Sequence, residues 1–570
     1  MDEKAIYNYC RNLGCCVACC LRYLGIKNSN AYANPTNFAL KFQAEETLNK
    51  ASEDAEKCTG KIIEGLSDAV NESQSEEIKI PDDISIENTQ ENNLNSSNTI
   101  NELSNGLEVF GNGCSPPSKK LKLATCISCL GVLQEFTWQE SINMVKEVLD
   151  KKGYACNTFA CALSAPIATM LRERVITLQL TDEFPGYDHN SLTPLKEAWK
   201  WSFGTHLSRH IHKTLDSGAI SPLLVTLNID YDDDIQELEI LKKVSPQLFE
   251  ERSRQRRRFA TEFTRRSVEQ ALETATLSSF RAAGDALSRV SSNAHCVSVI
   301  CTHAPIYVCG RYVKLSRNLP QSPWVLDGKR VLPSSVQEII FGPIAKFYNF
   351  SDVDCEGRLK FIAAGREDVD VRCLGDGRPF AIEITDPKRE LTSEELNEAC
   401  DMISTSEEVV VKKLVPINRE DLALLKKGEE TKSKTYEALC IKLTHSKHDD
   451  CPPDSPITVT PTDLQLINDY KESDDVTMTI SQKTPLRVLH RRPLLVRKRE
   501  ILEMSAVPVP EHPQLFRLFV RTSAGTYVKE WVHGELGRST PSLGDVMGSR
   551  VDLLALDVTA VHLQWPPVKE

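Results

Sequence analysis

Hydrophobic and polar positions alternate with a period of two at several places in the second half of the chain. Phe380, Ile382 and Ile384 interleave with Ala381, Glu383 and Thr385, and Phe516, Leu518 and Val520 repeat the pattern. Each run predicts a β-strand with one face buried. Leu359, Phe361 and Ile362 mark another strand upstream. Elsewhere a period near four takes over. Val528, Trp531, Val532 and Leu536 form one helical stripe, and Phe259 with Phe263, then Val268 with Leu272, predict a helix through 252–266. Between Ser67 and Cys114 no apolar period persists, and Asn, Ser, Asp and Glu dominate. Such a segment buries too little apolar surface to offset its ordering entropy, so 67–114 is expected to be a disordered insertion. A shift toward strand-forming composition near Ser291 divides the remainder into an accessory half, 1–66 with 115–290, and a second half, 291–570.

Composition changes this picture through charge. The 570 residues carry 68 Lys and Arg against 80 Asp and Glu, a net charge of −12. Taken whole, that argues against a nucleic-acid binder, whose phosphate affinity rests on clustered cations. The insertion, however, holds ten acids against Lys79 alone, nine of the twelve net negative charges. What remains is close to neutral and has basic strips of its own. Residues 252–266 contain seven arginines and one acid, Glu262. Residues 482–499 contain Lys483, Arg487, His490, Arg491, Arg492, Arg497, Lys498 and Arg499 with no acid, alternating with Leu, Val and Pro as in strands with one basic face. The first residues lack a signal-peptide pattern, and no apolar run approaches the roughly 20 residues of a membrane span. A soluble intracellular protein with no membrane association is expected, its 19 cysteines reduced or bound to metal.

Two cysteine pairs stand at i, i+3: Cys16 with Cys19, and Cys126 with Cys129. A two-residue gap lets both thiolates of a pair face one ion, and two such knuckles make a closed tetrahedral zinc site. The long intervening chain is no obstacle, because loop-closure entropy grows only logarithmically. His206, His210 and His212 lie close in sequence, but no Glu follows the first as a zinc protease requires, and a polar helix face is the simpler reading.

The densest chemistry lies in Gly365-Arg-Glu-Asp-Val-Asp-Val-Arg, on a loop between two predicted strands. Asp368, Asp370 and Glu383 suit a divalent metal for phosphodiester cleavage. Alternatively, one Asp beside an Arg acts as a nucleophile without metal. A third reading is a non-catalytic RNA-binding scaffold in small-RNA processing.

Gly365-Arg-Glu-Asp resembles the Gly-Arg-Thr-Asp element that carries the catalytic Asp of pseudouridine synthases. With Gly377-Arg-Pro-Phe-Ala-Ile-Glu, Lys483-Thr-Pro-Leu-Arg-Val-Leu-His-Arg-Arg-Pro, Ala524-Gly-Thr-Tyr-Val-Lys-Glu, Gly310-Arg-Tyr and Arg317-Asn-Leu-Pro-Gln, the second half resembles the tRNA pseudouridine synthase ten family of archaea and eukaryotes. The two Cys pairs, Cys129-Leu-Gly-Val-Leu-Gln-Glu-Phe and Leu195-Lys-Glu-Ala-Trp-Lys-Trp extend the likeness into the accessory half. Glu367 departs from the usual Thr.

The resemblance implies an α/β (α+β) protein: a catalytic domain on a mixed, mainly antiparallel sheet, with a zinc-containing accessory domain of THUMP type. It implies an isomerase that needs no catalytic cofactor and converts uridine to pseudouridine at positions 54 and 55 of the tRNA T-arm. Asp368 would be the catalytic carboxylate, Lys529 its cation, and Tyr436 the residue stacked on the extruded base. Arg366, Arg311, Arg487, His490, Arg491 and Arg492 would contact RNA, and Cys16, Cys19, Cys126 and Cys129 would hold structural zinc. Expected partners are tRNA and other structured RNA, bound by a monomer located in nucleus and cytoplasm; Pro116-Pro-Ser-Lys-Lys-Leu-Lys is the import-like segment.

Overall fold

The computed structural model describes residues 2–42, 124–216, 218, 220–254, 261–284, 290–470 and 477–567. The segment 67–114, expected to be a disordered insertion, lies outside them, as do Arg256, Arg257, Arg258 and Phe259. The first helix, Glu3–Leu13, is capped by the Asp2 carboxylate, which accepts from the backbone N–H groups of Lys4 and Ala5, and it ends at Gly14 in the left-handed region.

Strands β1 (Thr158–Ser164), β2 (Thr214–Leu215), β3 (Leu223–Asp230) and β4 (His295–His303) form a sheet in the order β2-β1-β3-β4. The pairs β1/β2 and β1/β3 are parallel, and β3/β4 is antiparallel. Helix Ala168–Glu183 is buried on two sides. Ile176 and Leu180 join the core that holds Phe159 and Leu227, whereas Leu171 and Val175 pack with Leu238, Leu241, Phe249 and Val268. For that reason no single apolar stripe marks it in the sequence.

Two expectations change here. The division placed near Ser291 falls before β4, which hydrogen-bonds along β3 and so belongs to the N-terminal sheet. The helix expected through 252–266 is interrupted: one helix spans Pro246–Arg254 and another Arg265–Thr274. Thr264 takes an extended backbone and accepts from the Ser267 N–H, so it starts a new helix instead of continuing an old one.

The second half contains β5 (Ile306–Lys314), β6 (Val325–Leu326), β7 (Lys329–Arg330), β8 (Leu359–Ala363), β9 (Arg372–Ile384), β10 (Val409–Ile417), β11 (Lys434–Lys442), β12 (Met478–Lys483), β13 (Val496–Pro508), β14 (Leu515–Thr522), β15 (Ser539–Thr540) and β16 (Val551–Val561). Apart from the β6/β7 hairpin they form one sheet in the order β10-β5-β9-β16-β11-β14-β13-β12-β15, with β8 also on β9. Every pairing is antiparallel except β9/β16, which is parallel and pairs only Arg372 with Asp557 and Cys373 with Val558. Two cores flank this seam. One packs helices Val336–Tyr348 and Ser393–Ser404 on β5, β8, β9 and β10; the other packs helices Val528–His533 and Leu543–Met547 on β11 to β14 and β16. The architecture is thus mixed α/β, with a mainly antiparallel large sheet.

Basic strip 482–499 is stranded only at its ends, where Gln482 and Lys483 of β12 pair with Arg497 and Val496 of β13. Between them it runs as a loop with a short turn at Leu486–Val488, because Pro485 and Pro493 offer no ladder N–H. The stripe of Val528, Trp531, Val532 and Leu536 also stops early. The helix ends at Gly534, and Leu536 is 93% exposed. Asp386 joins the two halves: its carboxylate accepts from Tyr154 Oη (2.5 Å), Lys152 Nζ (2.7 Å) and the His303 N–H (2.8 Å). No described helix is long and apolar enough to cross a membrane.

Candidate active site and candidate metal centre

Asp368 lies on the loop joining β8 to β9, beside the parallel seam. The loop is fixed from beneath by groups whose joint role the sequence did not reveal. Glu367, 6% exposed, accepts from Tyr312 Oη at 2.9 and 3.1 Å and from Arg378 Nε at 2.6 Å. Arg378 Nη1 and Lys432 Nζ both donate to the Ala364 carbonyl, Gln321 Nε2 donates to that of Gly365, and Lys314 Nζ to those of Asp368 and Val369. A bulge explains how Arg378 reaches this place. Tyr312 pairs with Arg378 but Lys314 pairs with Cys373, so the extra residues of β9 loop out through Gly375 and Gly377, both at positive φ. A Cβ on Gly377 would stand 2.4 Å from the Tyr312 carbonyl oxygen, so only glycine permits the approach. The departure from Thr at 367 therefore supplies the loop's buried anchor.

Above this base, Arg487 Nη1 stands 3.1 Å from both Asp368 oxygens, and Lys529 Nζ stands 3.5 Å from Oδ2. Lys529 is nearer to Asp370, at 2.6 and 2.8 Å. Arg487 is thus the closer cation to Asp368, a second function for a residue expected only to contact RNA. Glu530, buried, accepts from Arg487 Nε at 2.6 Å and gave no signal of its own in the sequence. Burial opposes ionisation of Asp370, but the Lys529 ammonium wins and holds it below the usual carboxylate range. Gln482 clamps the start of the Lys529 helix, donating to the Tyr527 carbonyl and accepting from its N–H.

Tyr436, on β11, sits in a cross-sheet row with Val558 of β16 and Cys373 of β9, which brings its ring to the seam. It is 7% exposed, and burial pushes its hydroxyl up to about 12. The neighbouring same-face residue, Lys434, is pulled down to about 7 by burial and by the charges of Arg378 and Lys432. A free lysine titrates near 10.4, so between about pH 7 and 10 the unfolded chain binds more protons and stability rises with pH. Lys434→Met is accordingly expected to raise the unfolding midpoint most at pH 6 and progressively less toward pH 10. Scanning fluorimetry across that range checks it, and an equal shift at every pH would contradict it.

The other expected RNA contacts differ in setting. Arg366, on the Asp368 loop, and His490, Arg491 and Arg492, on the loop that carries Arg487, are exposed. Arg311 is instead spent on main-chain carbonyls: Nη1 donates to Leu563, Nη2 to Val561, and Nε to Asp376 and Gly377. It ties the C-terminal segment to the β9 bulge. Glu383 lies along β9 with Lys360 at 3.5 Å and takes no part in the Asp368 cluster. Among the described residues the only group of three or more potential metal ligands is cysteine, so the carboxylate-metal reading gains no site. A cavity lined by residues such as His533, Asp545 and Arg550 contains none of Asp368, Tyr436, Arg487 or Lys529.

That cysteine group is Cys16, Cys19, Cys126 and Cys129, with all ligand atoms within 4.8 Å of one another. Cys16 Sγ and Cys129 Sγ are 3.8 Å apart, and about 3.8 Å is the edge of a tetrahedron with metal–sulfur bonds of about 2.3 Å. The donor set therefore fits a closed structural metal ion. Cys15 and Cys20, which flank the first pair, are buried but lie outside the group. Arg22 Nη1 is 3.8 Å from Cys19 Sγ, and its own charge is balanced by Glu173. His206 stacks on His210, meets Trp138 edge-to-face, and lies outside the four-cysteine group.

A carboxylate held between two cations beside a sheet seam, with a buried tyrosine on a neighbouring strand, is an arrangement compatible with an isomerase of the pseudouridine synthase class. Comparison with known proteins agrees. The family model described as Pus10, C-terminal, matches residues 307–562, and that described as Eukaryotic Pus10, N-terminal, matches 126–292. The chain is 36% identical over 476 residues to the tRNA pseudouridine synthase Pus10 of Xenopus laevis, covering 82% of this chain and 86% of that one. It is 35% identical over 463 residues to the tRNA pseudouridine synthase Pus10 of Homo sapiens, covering 80% and 81%. A crystal structure of a Cbf5-Nop10-Gar1 complex shares 16% identity over 44% of this chain and 49% of that one, with a TM-score of 0.22, too low to bear on the site. The chain belongs to the Pus10 family.

Proposed function

We propose that the protein is a tRNA pseudouridine synthase that isomerises uridine at position 54, 55 or both in the T-arm. The observation that carries the reading is Asp368 held 3.1 Å from Arg487 and 3.5 Å from Lys529 on a loop anchored by a buried ion pair. In the reaction the N1–C1′ bond breaks, the base turns, and a C5–C1′ bond forms. N1 gains a proton and C5 loses one, so no net redox change occurs. An ionised Asp368, flanked by the two cations, attacks C1′ or removes the 2′ proton. Tyr436 stacks on the extruded uracil and takes the C5 proton as its own hydroxyl proton passes to water. Arg366, exposed on the same loop, fills the space the base leaves, since enzymes that act on a base draw it out of the stack. His490, Arg491 and Arg492 hold the phosphate backbone. The test is pseudouridine mapping on an unmodified tRNA transcript incubated with the protein. Modification at 54 or 55 is expected, and its absence from the T-arm would overturn the reading.

Zinc is the metal the four thiolates favour, because a closed tetrahedral sulfur set suits it and gives it a purely structural part. It would join the N-terminal helices to the 126–129 turn in an accessory domain of THUMP type that binds RNA, and the domain division falls between β4 and β5. The enzyme would act as a monomer in nucleus and cytoplasm and accept other structured RNA. Cys126→Ser is expected to release about one zinc per chain and to unfold the N-terminal half, since zinc affinity is folding free energy of about 10 kcal/mol or more. Metal content measured by emission spectrometry, alongside circular dichroism, checks this; a folded variant with undiminished zinc would refute it.

A further inference from the structure

The helical stripe that the sequence extends to Leu536 breaks at an unusual turn. Gly534, Glu535, Leu536 and Gly537 all have positive φ, at 75, 42, 58 and 78°. Two of them carry side chains in a conformation that L-residues avoid. Leu536, at 93%, is the most exposed large hydrophobic side chain among the described residues. Backbone strain of this kind persists only where surrounding contacts impose it, and it concentrates at functional sites.

The imposing contacts are present. Glu535 Oε1 accepts from the Leu486 N–H at 2.8 Å, Arg538 Nη2 donates to the Thr484 carbonyl at 2.6 Å, and the Lys483 N–H donates to the Arg538 carbonyl at 2.9 Å. The turn is therefore clamped to the loop that carries Arg487, His490, Arg491 and Arg492. Leu486, whose N–H donates to Glu535, immediately precedes Arg487, and Arg487 reaches Asp368 at 3.1 Å. The loop exposes Leu486 at 50%, Leu494 at 62% and Val496 at 61%, interleaved with exposed cations and no acid. An exposed apolar side chain on a strained turn, clamped to a basic loop whose Arg487 reaches Asp368, has the chemistry of a wedge entering a nucleic-acid base step.

We propose that Leu536 is such a wedge: it enters the RNA stack at a step beside the target uridine and lowers the cost of drawing that base into the pocket. This rests on the tRNA pseudouridine synthase reading. Because Leu536 touches no core, its substitution leaves the fold intact, which makes the test clean.

The test compares the wild type with Leu536→Ala and Leu536→Met. Single-turnover pseudouridine formation is measured on unmodified tRNA, affinity by fluorescence anisotropy, and unstacking by the fluorescence of 2-aminopurine placed next to the target uridine. The alanine variant is expected to bind within about twofold of wild type and to lose most of the 2-aminopurine rise. Its reaction should slow about tenfold or more, as expected when unstacking is no longer assisted. The methionine variant should recover both signals. A wild-type fluorescence rise and rate in Leu536→Ala would overturn the proposal. So would a rate loss matched by weaker binding with an unchanged signal per bound complex, which would make Leu536 mere contact area. If the wild type forms no pseudouridine at all, the underlying reading fails instead.

Discussion

Asp368→Asn is expected to abolish pseudouridine formation, by about 10⁴-fold or more, equivalent to about 5.5 kcal/mol of barrier, while leaving tRNA affinity within a small factor of wild type. The two halves of that expectation come from different parts of the geometry. Asparagine keeps the shape of the side chain, and Arg487 remains held by Glu530 at 2.6 Å, so the pocket does not collapse. Lys529 likewise remains bound to Asp370. What disappears is the carboxylate that the proposed reaction uses to attack ribose or take its 2′ proton, and the neutral amide does neither. RNA affinity resides mainly in cations contacting phosphate, and removing an acid takes none of them away. Single-turnover kinetics and anisotropy on the same tRNA separate the two quantities. Equal losses of binding and rate would mean that Asp368 supports structure more than chemistry.

The second large effect concerns the anchor below the loop. Glu367 and Arg378 are each 1% exposed as side chains and are joined at 2.6 Å. Glu367→Gln leaves the Arg378 guanidinium buried without its anion, and breaking such a pair is expected to cost about 3–5 kcal/mol of stability. Arg378→Met leaves a buried carboxylate with only Tyr312 and costs a similar amount. The double variant Glu367→Leu, Arg378→Met should recover much of the stability, because removing both charges ends the unpaired burial. It should not recover activity, since Arg378 also holds the Ala364 carbonyl of the loop that carries Asp368. Urea unfolding of the three variants, with pseudouridine assays on each, checks both parts. A double variant no more stable than the singles would argue that packing, and not charge, governs this site.

How much of this was legible beforehand depended on the reach of each signal. The cysteine knuckles and the Asp368 element are short, contiguous patterns, so residue type and spacing expose them. The Glu367–Arg378–Tyr312 set is not contiguous in that sense. It exists only because β9 bulges at Gly375 and Gly377 and so lays Arg378 opposite Tyr312 on β5. Arg487 meets Asp368 across 119 positions, and Glu530 matters only through Arg487. Arg311 and Arg487 look alike as basic residues in motifs, yet main-chain carbonyls occupy the first and a carboxylate pair the second. Periodicity also misplaced Leu536, since a count of apolar intervals does not register that Gly534 ends the helix in the left-handed region. The strands carrying Phe380, Ile382 and Ile384, and Phe516, Leu518 and Val520, were legible from their alternation, although Ala381 is also fully buried, in a second core on the other face of β9.

The most direct measurement of the central claim is nucleotide-resolution pseudouridine mapping of one unmodified tRNA after incubation with the wild type and, side by side, with Asp368→Asn. Modification confined to the T-arm with the wild type, and none with the variant, is the predicted result. Wild-type modification levels in the Asp368→Asn reaction would contradict it.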